Sequence, residues 1–349
     1  MDRARIESFL DQFVGFASGA MTVGLLAVAD RSGLLGWLKD NGSGTADTIA
    51  AGAGLEKRYV TEIMSGLAAS GVVDYDPARA IFTLPPEHAL FVADESSPYY
   101  MGGWFDMIPA VLAQIDGVTD ATSNGGGVRF ESYGPDLIRG LDRGNGPSQR
   151  VFLVSRWLPA VPDLVPQLEA GARVADVGCG TGTAAIEMAK AFPGSQVTGY
   201  DLSSEALHLA RGRADSVDNV EFEEYSVEAI PIEPPNDLVT AFDVIHDLGD
   251  PLAGMTRIRE SLAPGGRFLM MEPNMSSSLE ENLNDRGALM YGVSALHCMT
   301  QSLAGGGTGL GAAWGREKAA EFAAMAGFGE FEQLESITNR FSAFYLLSP

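Results

Sequence analysis

Residues 174–201 read VADVGCGTGTAAIEMAKAFPGSQVTGYD, and the reading of this stretch decides the fold. Val174 to Val177 predict a strand that runs into a glycine turn, Gly178-Cys179-Gly180-Thr181-Gly182. Ala185, Ile186, Met188 and Ala189 then fall on one helical face, and Pro193-Gly194 ends that helix. A second strand, Gln196 to Tyr200, finishes at Asp201. This is one β-α-β unit of a doubly wound sheet, whose ligands sit at the carboxyl ends of the strands. Glycines let a ligand approach the backbone, and the helix N-terminus offers free N–H groups. An acid ending the second strand accepts both hydroxyl protons of a ribose. The spacing is G-x-G-x-G, not the G-x-G-x-x-G of dinucleotide sites. Asp176 also lies two residues before the first glycine, where dinucleotide sites are usually apolar. An acid beside the turn suits a cationic ligand better than a pyrophosphate, which argues against an NAD-dependent oxidoreductase.

VADVGCGTG resembles the first motif of class I S-adenosylmethionine-dependent methyltransferases. The resemblance continues through Asp201, through Leu262-Ala263-Pro264-Gly265-Gly266 before a late strand, and into the last hairpin; it covers residues 150–349. It implies a Rossmann-like, seven-stranded α/β sheet with S-adenosylmethionine as cofactor. The positions it assigns to that cofactor are Asp176, Gly178, Gly180, Thr181, Gly182, Asp201, Leu202 and Phe242. Ser226 aligns where the family usually has an adenine-contacting Asp, so that contact passes to Glu228 or the backbone.

Composition narrows the class. The chain has 349 residues, with 23 basic against 46 acidic side chains and a net charge of −23. Such a chain repels nucleic acid and anionic membranes. Its two cysteines, Cys179 and Cys298, make neither a disulfide framework nor a zinc–thiolate cage, and a reducing cytoplasm is the expectation. Gln12 to Ala29 carries no charge until Asp30, close to the ~18 residues of a membrane-span candidate. Glycines, Ser18 and Thr22 dilute the stretch, and its flanks lack a basic bias, so a buried helix pair is expected there.

Ile6, Phe9, Leu10, Phe13, Val14 and Ala17 recur at helical spacing, and a second helix is read from Met21 to Asp30. Both are apolar over more than one face, which predicts a homodimer. A short helix opens at Thr45; another runs from Leu55 to Ser70 with Val60, Ile63, Met64 and Leu67 inward. Val72–Tyr75 and Ile81–Leu84 flank a turn at Pro77. The pattern is a helix-turn-helix with a wing. Its second helix holds only Lys57 and Arg58 as bases, so a DNA-binding regulator is disfavoured. The arrangement is similar to the N-terminal dimerisation domain of many small-molecule methyltransferases. Three regions are expected: a winged-helix domain at 1–95, a helical connector and substrate lid at 96–160, and the cofactor domain at 161–349. In the connector, Trp104 and Arg129 are candidate substrate contacts, an aromatic wall and a carboxylate clamp.

The fourth strand is read from Asp237 to Ile245, which places His246 and Asp247 at the carboxyl edge of the sheet. Ile-His-Asp-Leu-Gly-Asp resembles the His-Asp-Trp-Ser-Asp stretch of small-molecule O-methyltransferases, with Leu248 where that family has Trp. The resemblance makes His246 a general base for a substrate hydroxyl, a task suited to an imidazole. His297, 51 positions later, lies in Ser-Ala-Leu-His-Cys-Met. His-Asp after the fourth strand together with His-Cys before the glycine run also resembles a bacterial group that includes 2-oxo acid C-methyltransferases. That likeness implies a divalent or ferric ion, iron or zinc, held by His246 and His297 with Asp247 or Glu272. Carboxylate and ketone oxygens would chelate the ion, and the ion would stabilise the enolate. The leading expectation is therefore metal-assisted C-methylation of a 2-oxo acid, with His246, Asp247 and His297 catalytic; O-methylation of a phenolic or hydroxyl compound is the alternative.

Overall fold

The computed structural model describes residues 1–349. Backbone contacts divide the chain into two compact units, Met1–Pro109 with Arg139–Ser148, and Ala110–Ile138 with Gln149–Pro349.

The first unit opens with one helix, Arg3–Arg31, where the sequence suggests two; the Asp2 carboxylate caps it by accepting from Ala4 and Arg5 N–H. Gly15, Gly19 and Gly24 do not interrupt it, because none takes a positive φ. Only Leu26, Ala27 and Ala29 are buried in it. Phe9, Phe13, Phe16 and Met21 are each more than half exposed, so the expected buried helix pair is corrected to a single helix with a bare apolar first half. By length and composition alone this helix could cross a membrane.

Helices Leu34–Asn41, Ala46–Ala53 and Lys57–Ala69 follow, with a small antiparallel sheet of β1 (Ser43–Gly44), β2 (Asp74–Asp76) and β3 (Ile81–Thr83) in the order β1-β3-β2. Thr45 Oγ1 caps the second helix at Thr48 N–H. On Lys57–Ala69, Val60, Ile63, Met64 and Leu67 are the buried face, as their spacing predicts. Both bases of that helix are paired, Lys57 with Asp47 at 2.7 Å and Arg58 with Glu62. Deeper in this unit, the fully buried Asp106 accepts from Arg31, Arg139 and Arg143. Burial alone would raise its pKa, but the arginines outweigh burial and hold it at about 2.

The second unit is built on seven strands: β4 (Arg173–Val177), β5 (Gln196–Asp201), β6 (Val220–Glu224), β7 (Asn236–Phe242), β8 (Leu262–Pro273), β9 (Glu330–Gln333) and β10 (Ser342–Ser348). Their order is β6-β5-β4-β7-β8-β10-β9. All neighbours are parallel except β10, which runs antiparallel to both β8 and β9. The Rossmann-like sheet and the winged-helix unit are as expected. Chain order reverses direction across the sheet at β4, between β5 and β7, and that reversal opens a crevice at the carboxyl edge. Helix Thr183–Ala191 packs its apolar residues on one face of the sheet, as read.

β7 stops at Phe242, three residues before the expected Ile245. The reason is Asp243, whose φ of +59° takes the chain out of the extended range. Val244 and Ile245 have strand-like side chains, but Ile245–Asp247 form a single 3-10 turn. That turn puts His246 inward, 3% exposed.

Candidate active site

The glycine turn and the end of β5 make the first half of the site. Gly178, Gly180 and Gly182 have φ of +65°, +53° and +81°. A Cβ on Gly178 would strike Val244 and one on Gly182 would strike Phe222, whereas one on Gly180 would meet nothing within 4 Å. Gly180 therefore faces open space. Asp201 is held ready beside it: Oδ2 accepts from Gly180 N–H and Oδ1 from Ser203 N–H, both at 2.8 Å. Helix Thr183–Ala191 has no side-chain cap at Gly182, and its Ala185 N–H donates to the Asp176 carboxylate. Asp176 is buried, and its Oδ1 accepts from Thr240 Oγ1 at 2.7 Å. Burial, with the nearby Asp201 charge, pushes its carboxyl up to about 7. Thr181 Oγ1 accepts from Arg213 at 2.8 Å. Phe242 is buried against Trp157, Leu202 is exposed, and Ser226 is half-buried at the head of the turn Val227–Ala229. The open glycine turn and the Asp201 carboxylate oriented beside it fit S-adenosylmethionine.

The second half is built on β8 and the turn after β7. Glu272, 1% exposed on β8, collects three donors. Its Oε2 lies 2.6 Å from His246 Nδ1 and accepts from Trp314 Nε1 at 3.0 Å; its Oε1 accepts from Ile245 N–H at 2.9 Å. A carboxylate only accepts, so the proton sits on Nδ1 and Nε2 is left as the working nitrogen. Nε2 lies 3.4 Å from Asp247 Oδ1. Burial opposes a charged imidazole here, but Glu272 and Asp247 outweigh it and hold the His246 pKa well above its usual value. Asp243 adds a further acid: loss of water around it, with Glu272 and Asp247 nearby, brings its carboxyl up to about 7 against the pull of His246.

Residues 294–304 close this half. A π-turn, Ser294–Cys298, carries His297 and Cys298 inward. His297 Nδ1 lies 3.5 Å from Cys298 Sγ, and its ring stands edge-on to Tyr133 at 5.0 Å and Phe130 at 6.1 Å. Burial lowers the His297 pKa. Two buried polar atoms have no hydrogen-bond partner, His297 Nε2 and Asp247 Oδ1. Segment 127–133 is docked on the 294–304 stretch: Tyr133 Oη donates to Leu296 O at 2.6 Å, and Val128 N–H donates to Thr300 Oγ1 at 3.0 Å. Gly127 lies so close that a Cβ would sit 1.8 Å from Thr300 O. The glycine run anchors on the His246 turn, with Gly311 N–H to His246 O at 3.2 Å and Thr308 N–H to Gly249 O at 2.9 Å.

Of the residues singled out from sequence, His246 and Asp247 meet in the site, and His297 stands beside Cys298. The side chains whose ligand atoms converge, all within 4.8 Å, are His246, Asp247 and Cys298; His297 is not one of the three. Arg129 is exposed and pairs with Glu131 at 3.3 Å. Trp104 is half-buried on the helix Gly103–Leu112. The sequence reading missed Cys298 and Asp243 as site residues and saw in Glu272 only a carboxylate for a metal. An acid at the end of the apolar run Phe268-Leu269-Met270-Met271 was the available signal for Glu272.

Comparison with known proteins agrees with this geometry. Residues 168–323 match a family model described as a methyltransferase domain, and residues 19–94 match an Rv2258c-like winged helix-turn-helix domain. An uncharacterised 37.1 kDa protein of a Streptomyces fradiae transposon is 31% identical over 175 residues, 50% of this chain and 49% of that protein. The chain thus spans about half the length of the curated relatives it matches. A solved O-methyltransferase-like structure from Nostoc punctiforme superposes with a TM-score of 0.74 at 16% identity, covering 97% of this chain and 98% of that one. Mitomycin 7-O-methyltransferase gives 0.71 at 17% identity over 100% of both chains. Many of the named relatives and neighbours are O-methyltransferases, including enzymes of ubiquinone biosynthesis, and none is named as a 2-oxo acid C-methyltransferase among those compared. They overturn the expectation of a 2-oxo acid C-methyltransferase, which rested on the resemblance of the His-Asp and His-Cys stretches to that bacterial group. Sheet order, glycine turn and both family matches together make this the class I S-adenosylmethionine-dependent methyltransferase fold joined to an N-terminal winged-helix domain.

Proposed function

We propose that the protein is an S-adenosylmethionine-dependent O-methyltransferase acting on a small molecule with a phenolic or other hydroxyl, and that His246 is its general base. The observation that carries this reading is the 2.6 Å contact between His246 Nδ1 and Glu272 at the carboxyl edge of the sheet. In this reading Asp201 takes the ribose hydroxyls, Gly178, Gly180 and Gly182 admit the cofactor, and the acid at 176 favours its positive charge. When bound, S-adenosylmethionine supplies a methyl on a sulfonium; transfer to the acceptor oxygen leaves the methyl–sulfur electron pair on sulfur. His246 Nε2 takes the acceptor's proton, and Glu272 stabilises the imidazolium that results. Phe130 and Tyr133 form an apolar wall for the acceptor. Holding the acceptor oxygen in line accounts for most of the rate, since the methyl is already activated.

The test is release of S-adenosylhomocysteine from a panel of phenols and alcohols, with chelator present throughout. His246→Ala should lose roughly 10²–10⁴-fold in kcat while cofactor binding persists. A fully active His246→Ala, or no turnover on any hydroxyl acceptor, would end this reading.

We also infer that the bare first half of helix Arg3–Arg31 packs against a second copy of the chain. Its support is the row of exposed Phe9, Phe13 and Phe16. Phe9→Glu with Phe13→Glu should convert a dimer to a monomer in sedimentation; a wild-type monomer would refute it. The paired bases of helix Lys57–Ala69 favour a small-molecule partner over nucleic acid.

A further inference from the structure

We propose that His246, Asp247 and Cys298 form a site for a soft divalent cation of the zinc class, and that filling it switches the enzyme off. The switching half rests on the reading of His246 as base.

Four features point to a cation here. One ligand atom from each of the three side chains lies within 4.8 Å of the other two. Around a tetrahedral zinc the corresponding separations are about 3.3–3.8 Å, so side-chain rotations closing roughly 1 Å complete the set. Asp247 Oδ1 is buried without a hydrogen-bond partner, an arrangement that costs free energy unless something else satisfies it. His246 is braced through its other nitrogen by Glu272, which Trp314 and Ile245 hold in turn. A carboxylate behind a histidine is the arrangement that orients metal-binding imidazoles and raises their basicity. Finally, the π-turn that carries Cys298 is an irregularity often found at functional sites.

The donor set fixes the chemical class. Nitrogen, carboxylate oxygen and sulfur together favour zinc or a similar borderline ion over magnesium or calcium. Binding displaces the Cys298 thiol proton to solvent and leaves a thiolate on the metal. It also occupies the Nε2 lone pair of His246, the pair that takes the acceptor's proton. Cation and proton transfer therefore exclude one another, and the site regulates rather than assists the reaction.

The experiment uses the full chain, stripped with chelator and titrated with cobalt(II) as a spectroscopic stand-in and with zinc by calorimetry. One equivalent of cobalt should give a near-ultraviolet thiolate-to-cobalt band in wild type and none in Cys298→Ser. Zinc affinity should fall by roughly 100-fold in Cys298→Ser and about 10- to 100-fold in Glu272→Gln. Zinc should halve methyl transfer at the concentration that half-fills the site, with chelator reversing it, and the turnover of Cys298→Ser should lose this sensitivity. Absence of the band in wild type, or a site that fills while turnover holds or rises, overturns the proposal. The base assignment is judged apart from this, by His246→Ala in chelator, so its failure is distinguishable from failure of the metal site.

Discussion

Replacing Glu272 by Gln isolates the contribution of the acid behind the base. The substitution keeps the shape but removes the charge and one acceptor. In the native protein Oε2 receives His246 and Trp314, and Oε1 receives Ile245 N–H. The amide oxygen can take the Oε2 place and keep two of these bonds. Its NH2 then faces Ile245 N–H, donor against donor. One buried hydrogen bond lost in this way costs about 1–3 kcal/mol, and at roughly 2–4 °C per kcal/mol the melting point falls by about 2–12 °C. The effect on rate is separate. At an effective dielectric near 20, unit charges 2.6 Å apart attract by about 6 kcal/mol. That is an upper bound for what Glu272 contributes to the imidazolium, and relaxation and water reduce it. A loss of about 10²–10³-fold in kcat follows, or ~3–4 kcal/mol. Cofactor affinity, measured by calorimetry, should hold. The pH profile gives the sharpest readout. Because Glu272 and Asp247 raise the His246 pKa, the ascending limb of kcat/KM lies above the ordinary imidazole range. Removing the negative charge lowers the pKa, so the ascending limb moves toward acid. A Glu272→Gln enzyme with wild-type kcat and an unmoved limb would refute the account.

Three further outcomes can be checked. Asp201→Ala should weaken S-adenosylhomocysteine binding by about 10- to 100-fold in calorimetry, because it removes a charged acceptor already set by Gly180 and Ser203. Gly127→Ala should lower kcat/KM at least tenfold with cofactor binding intact, since its Cβ would sit 1.8 Å from Thr300 O and lift the Phe130–Tyr133 wall. Acid titration followed by circular dichroism should show the Asp106 contribution: its folded pKa of about 2 lies below the unfolded value, so about 2 kcal/mol is present above pH ~4 and is lost as pH falls toward 2. Asp106→Asn should abolish that acid-dependent part.

The sequence made the β4-helix-β5 unit legible because periodicity, glycine turn and terminal acid all lie within 28 consecutive residues, 174–201. The buried face of Lys57–Ala69 was legible for the same local reason. The end of β7 was not, because Val244 and Ile245 have strand-like side chains and only the backbone at Asp243 departs. Nor could the place of the glycine run be read. Gly307 packs on Gly249, where a Cβ would come within 2.5 Å of the opposing Cα, and no one-dimensional pattern pairs two bare backbones. The site itself was half visible: His246 and Asp247 follow from their place after a strand. Their partners Glu272 and Cys298 come from β8 and a distant π-turn, joined only by folding. The resemblance of the His-Asp and His-Cys stretches favoured His297, the neighbour of Cys298 in sequence, and the C-methylation expectation followed from that likeness.

Glu272 stands on β8, whose register with β7 runs residue by residue from Leu238 opposite Arg267 to Phe242 opposite Met271. The wall residues Phe130 and Tyr133 instead ride on a segment bounded by glycines at 125, 126 and 134. Proton acceptance and acceptor choice thus belong to separable parts, one stiff and one adjustable. A laboratory seeking a new acceptor would therefore randomise residues 128–133, keep Gly127 and leave the sheet alone; selectivity should then change by orders of magnitude while the pH profile stays that of the parent.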